Sequence, residues 1–185
     1  MTKLSITNFD GVYEPAEDSY LFVNHIPKLK GSILEIGCGT GIIGISLALK
    51  GNKVTAVDIN PFAVEAAKFN AKRNSVELEV LESDMFSSVE GRTFDTIVCN
   101  PPYLPSLEDE YNDSNLALAV EGGPTGSEFT IRLLEEARNY LKPQGSVYTI
   151  VSSKMKNFQV SWKQEVMYEE KFFFERLRLV RFWCS

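Results

Sequence analysis

Apolar and polar positions alternate along this chain in two rhythms that exchange from about residue 31 onward. Continuous apolar runs, "GSILEIG", "NKVTAVDI", "VELEVL", "FDTIVC" and "SVYTIVS", have the length and β-branched content of buried strands. Between them lie "GIIGISLALK", "PFAVEAAKFNAKRN" and a stretch near 127–141, with apolar residues at helical spacing. Pro61 opens the second of these at a first turn, where its missing N–H costs nothing. Strand–helix alternation predicts an α/β fold with a mostly parallel sheet covered by helices on both faces. Such sheets bind ligands at the carboxyl ends of their strands.

Two regions depart from that rhythm. Upstream, "EPAEDSYLFVNHIPKL" predicts a helix with Leu21, Phe22 and Ile26 on one side, and His25 in it reads as a surface or capping residue. Downstream, "KQEVMYEEKFFFERLRLVRFWCS" predicts two β segments hinged near Phe174–Arg176, an antiparallel pair. Phe172, Phe174 and the neighbouring aromatics are expected to pack against helices. With no repeat or linker, residues 1–185 are expected to form one domain.

Composition narrows the function. No apolar run of about 18 residues or signal-type segment is present, so a cytoplasmic protein without a membrane span is expected. Three scattered cysteines (Cys38, Cys99, Cys184) and one histidine give no support to a zinc site or disulfide framework. The net charge of −6 argues against a nucleic-acid binder that relies on a diffuse basic surface. Residues 151–185 hold seven Lys/Arg against four Asp/Glu, a mildly basic tail that reads as a solvated strand face.

The stretch "LEIGCGTGIIG" follows a strand and opens a helix, so Gly37, Gly39 and Gly41 let the backbone turn sharply beside a ligand. The same residues read from Gly39 satisfy G-x-G-x-x-G with Asp58 downstream, so a methyl-donor site, a dinucleotide site and a ligand-free turn all stay open. Glu35 would set a carboxylate beside the loop, repelling a pyrophosphate and attracting the ammonium of S-adenosylmethionine. Asp58 can accept two hydrogen bonds from a ribose diol. Asp84, in "ESDMF", is placed for an adenine amino group, with Met85 beside the ring. Either aspartate could instead cap a helix or turn.

"NPPY" at the end of the fourth strand carries the chemistry. Asn100 offers a carboxamide oxygen, and Pro101 a carbonyl without an N–H on a ring-constrained backbone. Two acceptors held close together match the two hydrogens of a planar –NH2 group, and Tyr103 supplies a flat face for it, with Pro102 stiffening the turn. Hydrogen bonds from both N–H groups enrich the nitrogen in electron density and aim it for in-line displacement, with no strong general base. A strand ended by a proline turn is the plain alternative.

Together "VYEPAEDSYLF", "LEIGCGTGIIG", "AVDINPFAVEAA" and "NPPY" resemble Rossmann-like class I S-adenosylmethionine-dependent methyltransferases with an NPPY motif. The branch they resemble is the stand-alone archaeal and eukaryotic N5-glutamine methyltransferases of class I peptide-chain release factors, relatives of bacterial HemK. The resemblance covers nearly the whole chain. It implies a seven-stranded sheet of order 3-2-1-4-5-7-6 with strand 7 antiparallel, and methylation of the glutamine in a release factor's GGQ tripeptide. It also implies that residues 1–30 form a segment and helix over the cofactor site. Tyr13, Ser19, Glu35, Gly37, Gly39, Asp58, Asp84, Met85 and Asn100 would contact the cofactor. Asn100, Pro101, Pro102 and Tyr103 would hold the glutamine amide, with Asn100, Pro101 and Tyr103 as the catalytic set. Two departures stand out. Only about 30 residues precede the first strand, where the bacterial relatives have a helical docking domain, so docking falls to loops after Tyr103 or to a partner. The loop "EGGPTGSE" is similar to the family's Gly-rich segment without matching it. The resemblance further implies a heterodimer with a Trm112-like zinc-binding activator, for which the edge strand Val76–Leu81 offers unpaired backbone groups.

Other substrates fit the same cradle. An exocyclic adenine nitrogen of DNA or RNA also presents a planar –NH2, although the acidic balance and the lack of a target-recognition domain weigh against it. A lysine amine would need deprotonation first. An inactive interaction module is the alternative outside enzymes, and intact Glu35, Asp58 and Asn100 argue against it.

Overall fold

Every apolar run becomes a strand in the computed structural model, which describes residues 4–106 and 119–184. These are β1 (Ser32–Ile36), β2 (Lys53–Asp58), β3 (Glu79–Glu82), β4 (Phe94–Cys99), β5 (Leu141–Ser152), β6 (Lys163–Lys171) and β7 (Arg176–Trp183). The helices are α1 (Glu17–His25), α2 (Ile42–Leu49), α3 (Pro61–Arg73) and α4 (Glu128–Ala137). The sheet order is β3-β2-β1-β4-β5-β7-β6. Strand β7 runs antiparallel to β5 and β6, and the remaining pairs are parallel. The expected topology is therefore the observed one.

Strand parity divides the core into two layers. Ile97 and Cys99 of β4 join Leu133, Leu134 and Ala137 of α4 on one face. Val98 points the other way, into a cluster with Leu21 and Phe22 of α1 and Ile43 and Leu47 of α2. Each large apolar side chain so buried contributes about 1.5–3 kcal/mol. Cys38 and Cys99 are buried thiols, while Cys184 is exposed just beyond β7.

Helix α3 pins the amino-terminal segment. Asn70 accepts from the Thr7 N–H (2.9 Å) and donates to the Thr7 and Thr40 carbonyls (3.0 Å each). One turn on, Asn74 accepts from the Ser5 N–H (2.9 Å) and donates to its carbonyl (2.7 Å). Four helical residues rise about 6 Å and two extended residues about 6.6 Å, so the two periods match. Two carboxamides thus hold a strand-like segment that continues to Tyr13 and α1.

Several boundaries and contacts differ from expectation. Strand β3 begins at Glu79 rather than Val76, because the turn after α3 takes Val76 N–H to the Ala71 carbonyl (3.1 Å). It remains the sheet edge, with Val80 facing inward. Helix α4 stops at Ala137, and β5 starts at Leu141. Phe173 and Phe174 do not pack against helices: they are 100% and 90% exposed. The Phe172 N–H bonds the Glu175 carbonyl (2.8 Å), so the reversal between β6 and β7 throws both rings off its tip. Only Phe172 reaches the core. His25 stacks on Tyr168, ring centroids 3.4 Å apart. The loop expected to dock substrate includes residues 107–118, which lie outside the described residues. No helix among the described residues is long and apolar enough to cross a membrane.

Candidate functional site

The glycine loop leaves β1 at the carboxyl end of the sheet, with φ of +70° at Gly37 and +52° at Gly39. A Cβ at either would meet nothing within 4 Å, so glycine is there for backbone conformation. Gly37 and Cys38 donate to the Val57 carbonyl (2.9 and 3.1 Å), which ties the loop to β2.

Asp58, at the end of β2, reaches back under that loop. Its carboxylate accepts from the Gly39 N–H (2.8 Å) and the Asn60 N–H (2.9 Å). Burial raises its pKa, and those backbone donors oppose the rise. A carboxylate has about four lone-pair sites, so roughly two remain for a ligand. Asn60 caps α3 through the Phe62 N–H (3.0 Å) and donates to the Gly11 carbonyl (2.8 Å).

These residues border a cavity of about 330 Å³. Tyr13, Ser19, Gly37, Gly39, Asp58, Asp84, Met85 and Asn100 all line it. At its far end Met85 adopts φ +50°. Asp84 is exposed and pairs with Arg132 (3.1 Å), which also pairs with Glu136 at 2.7 Å. Arg132 and Phe129 of α4 line the cavity too and were not anticipated. Their helix reads as ordinary amphipathic sequence, and nothing local marks its cavity-facing turn.

Glu35 is the exception among the expected contacts. Parity sends it with Ile33 to the α2 face, so it does not line the cavity. It is 1% exposed, and its Oε2 has no hydrogen-bond partner among the described residues. Burial pushes its carboxyl well above the usual range, the Gly44 amide opposing and the Asp58 charge adding. Its carboxyl therefore does not meet a ligand of the cavity directly.

Asn100 stands where the large cavity meets a chamber of about 60 Å³, and it lines both. Its Oδ1 is buried and has no hydrogen-bond partner among the described residues. Buried acceptors without partners are uncommon and costly. Pro101, Pro102 and Tyr103 line the chamber with it. The "EGGPTGSE" segment braces this loop: Gly122 donates to the Leu104 carbonyl (2.8 Å), and a Cβ at Gly122 would lie 2.6 Å from the Pro102 carbonyl oxygen.

Asp18 organises the chamber's outer wall. It is 4% exposed and accepts from the Ser19 N–H (2.6 Å) and Ser19 hydroxyl (3.2 Å). The hydroxyls of Tyr13 (3.3 Å) and Tyr103 (3.4 Å) converge on its Oδ2. Burial and the Asp18 charge push both phenols up, so they stay protonated donors. Sequence reasoning named Tyr13, Ser19 and Tyr103 but missed the carboxylate between them. The signal was present: helical spacing puts Asp18 on the face of Leu21 and Phe22, where an acid needs a reason.

The methyltransferase small domain family matches residues 4–117. The chain is 45% identical to a Methanocaldococcus jannaschii protein named "Putative protein N5-glutamine methyltransferase", over 93% of this chain and 91% of that one. It is 33% identical to ribosomal RNA small subunit methyltransferase C of Aeromonas hydrophila (85% of this chain, 42% of that one). It is 38% identical to release factor glutamine methyltransferase of Koribacter versatilis (64% and 45%). The chain thus spans under half the length of the last two. Among solved structures, the E. cuniculi Mtq2–Trm112 complex, described as methylating the translation termination factor eRF1, matches with a TM-score of 0.73. The identity there is 22%, over 95% of this chain and 99% of that one.

Proposed function

We propose, since this chain belongs to the methyltransferase small domain family, that it transfers a methyl group from S-adenosylmethionine to a glutamine side-chain nitrogen. The target is the GGQ glutamine of a class I peptide-chain release factor. The unpartnered, buried Asn100 Oδ1 between cavity and chamber carries this reading. An acceptor kept without a partner there is suited to a ligand N–H.

Relative size supports the assignment: a cavity of about 330 Å³ is on the scale of a small-molecule cofactor site, and the adjoining chamber of about 60 Å³ is far smaller, as a carboxamide side chain requires. The name of the M. jannaschii relative supports the same choice.

The residues then have separate tasks. Asp58 would hold the ribose diol through its remaining lone pairs, and Asp84 the adenine amino group, with Met85 against the ring. When bound, S-adenosylmethionine supplies a methyl group on a sulfonium that is its own leaving group. Asn100 Oδ1 accepts one amide N–H and the Pro101 carbonyl the other, with Tyr103 flanking the amide plane. Delocalisation leaves an amide nitrogen poorly nucleophilic, and two acceptors on its hydrogens return electron density to it; once methylated, the nitrogen releases one of those hydrogens as a proton to solvent. The rest of the acceleration comes from alignment of the nitrogen with the methyl group. Within a single domain, the segment leading into α1 would act as a cover, with Val12, Tyr13, Pro15 and Ser19 lining the cavity.

By analogy with the Mtq2–Trm112 assembly, a small zinc-binding activator would join through the free edge of β3. The deciding assay incubates the chain, with and without such an activator, with radiolabelled S-adenosylmethionine and either a GGQ-containing release factor or duplex DNA. Label on the release factor, lost when its GGQ glutamine is replaced by alanine, is the expected result. Label on DNA alone would overturn the substrate.

A further inference from the structure

We infer that the groove beneath the β6–β7 turn receives the polypeptide flanking the target glutamine, with Phe173 and Phe174 as its apolar contact. The inference rests on the glutamine-methyltransferase reading and names how that substrate docks. The groove has a volume of about 300 Å³ and runs between α1 and the hairpin tip. It shares a wall with the amide chamber, since Tyr13, Asp18 and Tyr103 line both. A side chain inserted past Tyr103 would leave its own main chain beside that wall, over this groove.

Two properties specify the occupant. The paired rings of Phe173 and Phe174 have no core role at 100% and 90% exposure, and a water-exposed aromatic pair beside a reaction mouth is a contact surface for a partner. Among the described residues, the groove's charged lining is Glu17, Asp18 and Glu175 against Lys154. Glu175 is already engaged by the Ser152 hydroxyl (3.0 Å), and Lys154 lies 4.0 Å from it. Exposed Glu17 is left facing the groove, and the excess acid selects backbone N–H groups and basic side chains. An extended peptide with an apolar residue and a basic residue near its glutamine fits. A polyanionic nucleic acid does not.

The test uses the full chain, with its activator where activity requires one, and three variants: F173S/F174S, E17K and the unrelated surface change K68S. The substrates are an intact class I release factor and a fluorescein-labelled peptide of about twelve residues centred on Gly-Gly-Gln with one arginine. F173S/F174S is expected to raise KM for the release factor, and Kd for the peptide, at least tenfold. Affinity for S-adenosylmethionine and kcat should stay within twofold. E17K should weaken peptide binding about threefold at low salt and not at 0.5 M salt, and K68S should change nothing. If the wild type methylates the release factor and F173S/F174S does so with unchanged KM, the docking assignment is wrong and the function stands. If the wild type neither binds the peptide nor methylates the release factor, the function fails and the docking assignment with it.

Discussion

The Tyr103 hydroxyl donates to Asp18 Oδ2 at 3.4 Å, joining the loop after β4 to a helix 85 residues earlier in the chain. The contact is long, as hydrogen bonds of an unliganded site often are, and it can tighten when the chamber fills. Y103F keeps the ring and removes the tether. It should lower kcat/KM for the release factor about three- to tenfold, with affinity for S-adenosylmethionine unchanged because Tyr103 does not line the large cavity. Steady-state kinetics beside calorimetry checks this, and wild-type kcat/KM would leave the tether without a task.

Asn100→Ala removes the orphaned acceptor. Donor or acceptor groups aimed at the reacting centre are typically worth 10²–10³ in rate, so transfer should fall by about two to three orders of magnitude. Cofactor affinity should persist within a few-fold. Turnover at the wild-type rate would remove Asn100 from the mechanism.

Asp58→Ala should weaken S-adenosylmethionine binding by about 1.5–3 kcal/mol, the scale of hydrogen bonds to a charged group. The Gly39 and Asn60 N–H groups also lose their acceptor, which lowers stability with or without ligand. Calorimetric titration reads it directly, and unchanged affinity would place the ribose elsewhere.

Glu35 predicts a pH dependence of stability. Its native pKa is raised by burial, so its contribution is full below the unfolded value near 4.5 and is lost as pH rises through the native value. Glutamine at this position carries no such loss. Without ligand, the melting temperature of E35Q relative to wild type should therefore increase from pH 4.5 to pH 8. A gap that is constant or shrinking across that range would mean the carboxyl is not buried as described.

Asn70→Ala should cost about 2–4 kcal/mol, since it strands the Thr7 N–H and the Thr7 and Thr40 carbonyls. Chemical denaturation measures the loss. Limited proteolysis should cut first within residues 4–12 in this variant, and an unchanged cleavage pattern would show the segment is held by other contacts.

Much of this was legible before any coordinates. Strand β4 carries the pattern of a buried strand and ends where "NPP" forbids further pairing, so the position of Asn100 followed from Pro101 and Pro102 alone. The glycine loop and Asp58 were legible for the same reason, because spacing along adjacent parallel strands fixes which ends meet. Glu35 was misplaced because "LEIG" shows that an acid precedes the loop, while only strand parity tells which face it takes. Phe173 and Phe174 were read as core because apolarity signals burial until a tight turn intervenes. Arg132 lies 48 residues from Asp84, and no local signal joins them.

The reversal of β7 also fixes where the molecule can be held. Strand β7 pairs from Leu177 opposite Ser152 back to Phe182 opposite Val147, so the chain after it heads away from the end that carries the glycine loop and Asn100. Cys184, the one exposed thiol of the three, sits on that departing chain. Anchoring the protein to a sensor surface through that sulfur would present both ligand openings outward, which suits kinetic recording of cofactor and peptide on a single immobilised layer.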